Sequence, residues 1–162
     1  MISNKIEKFY KKIKSPIGSL VLISDKSALI GIEFGKGKVE NLPNKPTKEN
    51  HSILNETEKQ LIEYFSLNRK EFDIPLKLEG TDFQKKVWQE LSKIPFGKTI
   101  SYQQLAEKMG SKNKARAVGN ANGKNPIPII IPCHRVIEKN GKLGGFGGGL
   151  LIKQFLLELE NN

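Results

Sequence analysis

The residues with the clearest capacity for chemistry lie in one stretch, residues 125–136. It contains the only cysteine of the chain, Cys133, directly followed by one of the two histidines, His134. A thiolate is a strong nucleophile, and a neighbouring imidazole can take the thiol proton. A lone cysteine more often behaves as a small buried hydrophobe. The Cys–His pair by itself therefore leaves open whether Cys133 is a nucleophile or a structural thiol.

The segment that leads to this pair is apolar and contains Pro126, Pro128 and Pro132. Proline fixes φ and has no N–H to donate, so the segment is neither a central strand nor a long helix. We expect a stiff, extended and largely buried connection that holds Cys133 in a defined place.

Two capping boxes predict where helices begin in the second half of the chain. Thr81 has Gln84 three residues later, and Ser101 has Gln104 at the same spacing. The first helix would end before Pro95, and Trp88 is expected in the core. Its apolar spacing is typical of a helix, as shown by Phe83, Val87, Leu91 and Ile94.

The helix from Ser101 ends at Gly110, and a further helix is predicted over residues 112–122. Two short helices joined by a turn with a glycine form a helix-turn-helix, whose second helix would be the recognition helix. That helix carries Arg116, whose type favours a phosphate contact. It also carries small residues, which suit either a close approach to a groove or packing against a neighbour: Ala115, Ala117, Gly119 and Ala121.

The chain continues with a glycine-rich loop, residues 141–149, and a last helix, residues 150–160. The loop lacks the Gly-Lys-Ser/Thr ending of a phosphate-binding loop. Glycines also permit a flat ligand to approach the backbone closely. The last helix is expected to be amphipathic, with these residues directed inward: Leu151, Ile152, Phe155, Leu156 and Leu159.

The first half predicts a small mixed domain without catalytic residues. Its pattern indicates three strands of an antiparallel meander over residues 10–14, 19–23 and 28–34, then an exposed loop over residues 35–50. A helix capped by Asn55 would run to residue 65, with Leu61, Ile62 and Phe65 on one face. Residues 72–76 are expected to form an edge strand because of Pro75. His51 is expected in solvent.

Composition limits the classes of protein that this chain can represent. A single cysteine in 162 residues excludes an internal disulfide and fits a reducing cytoplasm. No apolar run is long enough to span a bilayer, and the first residues lack the apolar core of a signal peptide. The net charge of +10 favours a polyanionic partner, although ordinary basic proteins share such a composition.

Ordered sequence blocks at matching spacing resemble one family, the O6-alkylguanine-DNA alkyltransferases, also called methylated-DNA–protein-cysteine methyltransferases. The resemblance is strong over about the last half of the chain and weaker before it. The blocks are Pro132–Val136, Phe83–Trp88, Pro95–Gly97, Ser101–Ala106, Arg116–Gly119, Asn125–Pro126, Gly144–Phe146 and Lys153–Leu157 with Glu160.

The resemblance implies a ribonuclease-H-like α/β domain at residues 1–78 and an all-α helix-turn-helix or winged-helix-like domain at residues 79–162. It implies a monomeric DNA-repair protein of the cytoplasm that flips an O6-alkylguanine out of duplex DNA. The alkyl group would pass irreversibly to Cys133, once per molecule. O4-alkylthymine is a further candidate substrate. No cofactor is expected, and no metal, since the first half has no cysteine.

The resemblance also assigns roles to residues. Cys133, His134, Glu160 and Tyr102 would be catalytic, with Glu160 orienting the histidine and Tyr102 donating to the base. The residues expected on DNA are Arg116 as a finger that enters the duplex, Tyr102, Ser101, Ala115, Asn120 and Arg135. The residues expected around the substrate pocket are Asn125, Val136, Gly144, Gly145, Phe146 and Gly147.

Two pocket positions depart from the family pattern. Phe146 stands where many members have tyrosine, and Gly147 where some have serine. Three other functions stay open at this point: a lesion-binding protein without transfer, a winged-helix regulator and a cysteine hydrolase. The first lacks the cysteine, the second needs neither Cys133 nor the glycine-rich loop, and the third would turn over.

Overall fold

The computed structural model describes residues 7–35 and 51–162, and the chain divides into two compact units, residues 1–77 and 78–162. The first unit has a three-stranded antiparallel sheet and one helix, and the second is mainly helical. This confirms the predicted fold class. Within the described ranges no helix is long and apolar enough to cross a membrane.

The first unit is a meander of three strands, β1 (Phe9–Ser15), β2 (Gly18–Ser24) and β3 (Leu29–Phe34), with β2 in the centre. Helix α1 (Ser52–Phe65) contacts all three strands. Its buried apolar side chains recur at helical spacing, as Leu54, Leu61 and Tyr64. The predicted loop at residues 35–50 lies outside the described residues, apart from Gly35.

The start of α1 differs from the prediction. The helix begins at Ser52 with His51 at its N-cap, and Asn55 is inside the first turn. The Asn55 side chain accepts a hydrogen bond from Lys11 Nζ at 3.1 Å instead of capping the helix. Ile62, expected on the inner face, is exposed. His51 is half-buried rather than solvated, and its ring centroid lies 4.7 Å from that of Phe9.

Residues 72–76 are not a strand, in contrast to the prediction. They pair with the sheet only through a single parallel bridge between Leu29 and Leu76. Pro75 accepts a bond from Leu29 N but has no N–H to extend the ladder. Gln60 of α1 holds the preceding backbone instead, with its amide bonded to both the N–H and the carbonyl of Asp73. Side-chain bonds thus replace the sheet pairing here.

The second unit contains α2 (Asp82–Leu91), α3 (Tyr102–Lys108), α4 (Ala115–Gly123) and α5 (Leu150–Glu160). Both predicted capping boxes are present, at the start of α2 and α3. Trp88 is buried as predicted, and its Nε1 donates to the carbonyl of Ala121 at 2.9 Å. That bond joins α2 to the last turns of α4. The predicted single helix over residues 112–122 is instead a 3₁₀ turn, Lys112–Lys114, followed by α4.

Two short strands, β4 (Ile100–Ser101) and β5 (Val136–Ile137), pair in parallel. Ile100 lies opposite Val136, immediately after the 3₁₀ turn Cys133–Arg135. Because α3 begins where β4 ends, this pairing brings Tyr102 close to the segment that carries Cys133.

Helix α5 buries only part of the predicted face, because Leu156 is buried as expected but Ile152 and Leu159 are half-buried. Leu151 is 83% exposed and Phe155 is 36% exposed, although both were expected inside. The buried residues are Lys153, Leu156 and Glu160, which recur at helical spacing. Two charged side chains therefore occupy the inner face of an otherwise apolar helix.

A prediction follows from the contact between Gly80 and Trp88. A Cβ at Gly80 would lie 2.7 Å from Trp88 Cη2 and 2.7 Å from Gln84 Oε1, whereas a Cβ at Gly123 has no atom within 4 Å. Because the Trp88 ring is fixed in the core, Gly80→Ala should lower the free energy of unfolding by about 1–3 kcal/mol. Gly123→Ala is the matched control and should not lower it. Denaturant unfolding measures both, and equal stability of the two variants would contradict this packing.

Candidate active site

Cys133 lies at the end of a short buried loop that follows α4. Asn125 closes this loop, because its Nδ2 donates to Ile131 O at 2.7 Å and its Oδ1 accepts from Ile127 N at 3.0 Å. Ile129 has φ +75°, a strained conformation for a β-branched residue. The prediction that this connection is buried is confirmed, whereas the prediction that it is extended is wrong, because Ile131 N donates to Ile127 O at 2.9 Å and closes the segment into a turn. The surrounding packing holds the strained backbone of Ile129.

Cys133 is buried, with only 5% of the residue exposed. Burial raises the pKa of the thiol above its usual range, while a hydrogen bond from Asn125 and the charge of Lys153 act in the opposite direction. The thiol is therefore protonated at neutral pH and requires a base before it can act as a nucleophile.

His134 is fully buried and is held from one side by Glu160. Its Nε2 lies 2.6 Å from Glu160 Oε2. Burial lowers the pKa of His134, and the hydrogen bond and charge of Glu160 oppose that effect. Within the described residues, Nδ1 of His134 has no hydrogen-bond partner. A neutral imidazole that donates from Nε2 keeps Nδ1 as a proton acceptor.

The Glu160 carboxylate is shared between His134 and Arg135. Arg135 Nε donates to Oε1 at 2.7 Å, and its second terminal nitrogen donates to Oε2 at 3.1 Å. The other terminal nitrogen donates to Ile94 O at 2.6 Å, and Gly97 N donates to Oε1 at 3.3 Å. Hydrogen-bond donors from His134, Arg135 and Gly97 thus surround the buried negative charge of Glu160. A buried carboxylate requires such partners.

This placement corrects the assignment of Arg135 to DNA. The side chain is 6% exposed in the described structure, and its guanidinium bonds to Glu160 and to Ile94. A residue that contacts phosphate must reach the surface. Its physical role here is to neutralise Glu160 inside the protein.

A second buried cation, Lys153, was missed in its role by sequence reasoning. Its Nζ donates to Val136 O at 2.7 Å and to Gly145 O at 3.3 Å, and it lies 5.8 Å from the ring centroid of Tyr102. Burial lowers the pKa of Lys153 to about 8. The sequence contained one indication of this role, because Lys153 lies on the same face of the last helix as Leu156 and Glu160.

Tyr102 keeps its proton in this environment. Burial raises the pKa of its hydroxyl, the negative forms of Cys133 and Glu138 raise it further, and a hydrogen bond with the Asn122 side chain acts in the opposite direction. Tyr102 is therefore a hydrogen-bond donor throughout the neutral range.

A pocket of about 470 Å³ opens beside Tyr102; we call it the glycine-lined pocket. Its lining comprises Tyr102, Ala115, Gly119, Asn122, Gly123, Glu138, Gly144, Gly145, Phe146 and Gly147. The four predicted loop residues, 144–147, are thus at the pocket. Asn125 and Val136 are not among these residues: Asn125 closes the loop before Cys133, and Val136 is fully buried in β5.

Gly144 fixes one wall of the glycine-lined pocket. It has φ +72°, and a Cβ there would lie 2.9 Å from Tyr102 Cε2 and 3.0 Å from its hydroxyl oxygen. Only glycine allows this approach of the loop to the ring. Neighbouring Gly145 has no such constraint, since a Cβ there has no atom within 4 Å.

The residues predicted on DNA fall into separate environments. Arg116 and Asn120 are exposed on α4, whereas Ala115 and Ser101 are half-buried. The Ser101 hydroxyl oxygen accepts from Gln104 N at 3.0 Å as the cap of α3. Helix α4 therefore carries exposed polar residues and also contributes part of the lining of the glycine-lined pocket.

A prediction concerns Arg135 as an internal strut. Arg135→Lys keeps the charge but loses the planar fork that binds Glu160. We expect unfolding free energy to fall by about 1.5–3 kcal/mol, the range for hydrogen bonds to charged groups. Arg116→Lys, on the exposed face of α4, is the control and should change stability by less than about 0.5 kcal/mol. Wild-type stability of Arg135→Lys would contradict the strut.

Comparison with known proteins gives matches over nearly the whole chain. Residues 82–162 match the model of the 6-O-methylguanine DNA methyltransferase DNA-binding domain, and residues 8–78 match that of its ribonuclease-like domain. The chain is 46% identical over 154 residues to a methylated-DNA–protein-cysteine methyltransferase of Methanosarcina acetivorans, covering 95% of this chain and 99% of the relative.

Solved structures agree with these sequence matches. The O6-methylguanine methyltransferase of Mycobacterium tuberculosis superposes with a TM-score of 0.85 at 43% identity, covering 96% of this chain and 93% of the other. The same organism's OGT in complex with DNA gives 0.84 at 44% identity, with 94% and 92% coverage. The chain therefore belongs to the 6-O-methylguanine DNA methyltransferase family.

Proposed function

We propose that this chain repairs O6-alkylguanine in duplex DNA by moving the alkyl group to Sγ of its own Cys133. The observation that carries the proposal is the fixed imidazole of His134. Glu160 holds this ring through Nε2, so Nδ1 can accept a proton. The residue directly before His134 in the sequence is Cys133, whose thiol is buried. Membership of the 6-O-methylguanine DNA methyltransferase family indicates the class of reaction.

The transfer begins with the proton of the Cys133 thiol, which passes to His134 Nδ1 directly or through one water molecule. The Glu160 charge stabilises the imidazolium that forms. The sulfur electron pair then forms a bond to the alkyl carbon, the bond from that carbon to O6 breaks, and its electrons pass to the guanine. The Tyr102 hydroxyl donates a hydrogen bond to the departing base and stabilises its developing negative charge.

The product is an S-alkyl thioether. None of the proposed groups can hydrolyse a carbon–sulfur bond of this kind, and Cys133 is the only cysteine, so no second thiol can regenerate it. Each molecule therefore acts once.

We propose that α4 is the DNA-contacting element of a monomer that acts in the cytoplasm. Arg116 and Asn120 are exposed on it, and the chain has a net charge of +10. The lesion cannot react inside the base stack, so it rotates into the glycine-lined pocket, with the planar guanidinium of Arg116 taking its place in the duplex. Ala115 lies at the beginning of α4, and Ser101 and Tyr102 lie at the beginning of α3. We expect all three to contact the DNA there.

Intact-protein mass tests the proposal. After incubation with excess duplex containing O6-methylguanine, each molecule should gain one methyl group on Cys133 and no more. Cys133→Ala should gain none while it keeps its affinity for DNA. Release of methyl groups beyond one equivalent per molecule would contradict the mechanism and favour a hydrolase.

The dependence of the transfer rate on pH provides a second prediction. His134 must be neutral to act as a base, and burial lowers its pKa below the usual 6.5. The single-turnover rate should therefore hold from pH 7 down to 6.5 and fall only below that value. Glu160→Gln removes a charge that raises this pKa, so the midpoint should move further down, and the rate at pH 7 should fall at least about tenfold. A midpoint at or above 6.5 in the wild type would contradict a lowered pKa of His134, and a rate that does not fall at low pH would contradict its role as the base.

A third prediction separates the finger role of Arg116 from support of the pocket. Arg116→Ala should slow repair in duplex DNA more than reaction with free O6-benzylguanine, because the free base needs no rotation out of a stack. Arg116→Lys keeps the charge and should retain the salt dependence of DNA binding, whereas Arg116→Ala should reduce its slope by about one phosphate contact. Equal losses on both substrates would assign Arg116 to the pocket instead.

A further inference from the structure

The turn that follows α2 contacts both members of the buried ion pair in the active site. Arg135 donates to the carbonyl of Ile94 at 2.6 Å, and Gly97 N donates to Glu160 Oε1 at 3.3 Å. Between these two contacts, the guanidinium of Arg135 lies over the ring of Phe96, 5.8 Å from its centroid. One four-residue segment therefore binds the cation and the carboxylate at the same time.

A tight turn with glycine as its third residue produces the contact with the carboxylate. Lys98 N donates to Pro95 O at 3.1 Å, and Gly97 has φ +77°, the positive value that type II turns require at this position. A Cβ at Gly97 would lie 3.1 Å from the backbone oxygen of Glu160, so a larger residue would push the turn and the end of α5 apart by a few tenths of an ångström. Glycine thus permits the approach that brings this N–H to the carboxylate.

The N–H of Gly97 affects how strongly Glu160 acts on His134. At 3.3 Å the bond is longer than most N–H···O bonds, so a small displacement removes it. Burial is the main cause that lowers the pKa of His134. The hydrogen bond and charge of Glu160 raise that pKa, whereas the charges of Arg135 and Lys153 lower it. Because the N–H neutralises part of the Glu160 charge, its loss leaves more of that charge to hold a proton on the imidazole.

We propose that Gly97 is a positioning residue for the transfer, which holds Glu160 so that the carboxylate orients His134 and leaves the imidazole neutral. The inference rests on the proposed function and adds the turn after α2 to the groups that prepare the base. Gly97 needs no contact with the substrate, since it acts through Glu160. A neutral His134 is then ready to take the proton of the Cys133 thiol.

The test compares Gly97→Ala with Gly18→Ala. Both variants replace a glycine of positive φ, but a Cβ at Gly18, in the first unit, has no atom within 4 Å. Nitrogen-15 NMR gives the titration midpoint of His134 in each protein. Gly97→Ala should raise this midpoint by about 0.5–1 pH unit, the size of one net hydrogen bond. Gly18→Ala should leave it at the wild-type value.

Reaction with free O6-benzylguanine provides a second readout that does not depend on DNA binding. In Gly97→Ala, the acid midpoint of the single-turnover rate should move up together with the His134 titration. If Gly97 serves the fold alone, both alanine variants lose stability and neither shifts a midpoint, which overturns the proposal. A downward shift in Gly97→Ala overturns it as well.

A further variant and the wild type keep the result interpretable. Asparagine tolerates a positive φ better than alanine, so Gly97→Asn replaces the alanine variant if that protein does not fold, with the same expected shift. Wild-type protein that transfers no benzyl group to Cys133 would refute the proposed function. The His134 titration would then still decide whether Gly97 sets the protonation of the imidazole.

Discussion

The buried carboxylate of Glu160 is the interaction on which the active site depends. A carboxylate paired only with His134 would favour the imidazolium, and a protonated His134 could not take the proton of the Cys133 thiol. Burial is the main cause that lowers the pKa of His134, and the permanent positive charge of Arg135 on the same carboxylate lowers that pKa further. Glu160 can therefore orient the imidazole through a hydrogen bond of 2.6 Å while the imidazole stays neutral.

A second buried charge, that of Lys153, positions the pocket. Lys153 is buried and bonds to two carbonyl groups, those of Val136 and Gly145, which belong to β5 and to the glycine-rich loop. Its charge lies near the Cys133 thiol and stabilises the thiolate, while burial holds its own pKa at about 8. One side chain thus positions the pocket loop and favours the reactive form of the nucleophile.

Much of this arrangement could be predicted from residue types and spacing. The capping boxes of α2 and α3 are local signals and were predicted from residue types alone. The prolines before Cys133 predicted an extended connection, but hydrogen bonds of Asn125 and Ile131 close this segment into a turn. The pairing of His134 with Glu160 is not local, since 26 residues separate them. Only the resemblance to a known family suggested that pair, because the local sequence of α5 does not indicate that Glu160 is buried.

The failed predictions have a common cause, which is that tertiary bonds replaced the local preference. Asn55 is a good capping residue, but Lys11 of the neighbouring strand takes its side chain. In α5 the apolar pattern placed Leu151 inside, whereas the buried face follows Lys153 and Glu160, whose charges are satisfied by partners distant in sequence. Arg135 was assigned to DNA from the resemblance, and its carboxylate partner, Glu160, is distant in sequence and so was not visible locally.

The protonation and tautomer of His134 test this account most directly. Nitrogen-15 NMR of the imidazole rings is simple to assign, because the chain has two histidines and His134→Gln removes one set of signals. The account predicts a neutral ring at pH 7 with its proton on Nε2, bonded to Glu160, and a bare Nδ1 that remains so at pH 6.5. An imidazolium at pH 7, or a neutral ring with its proton on Nδ1, would contradict the role of His134 as the base for Cys133.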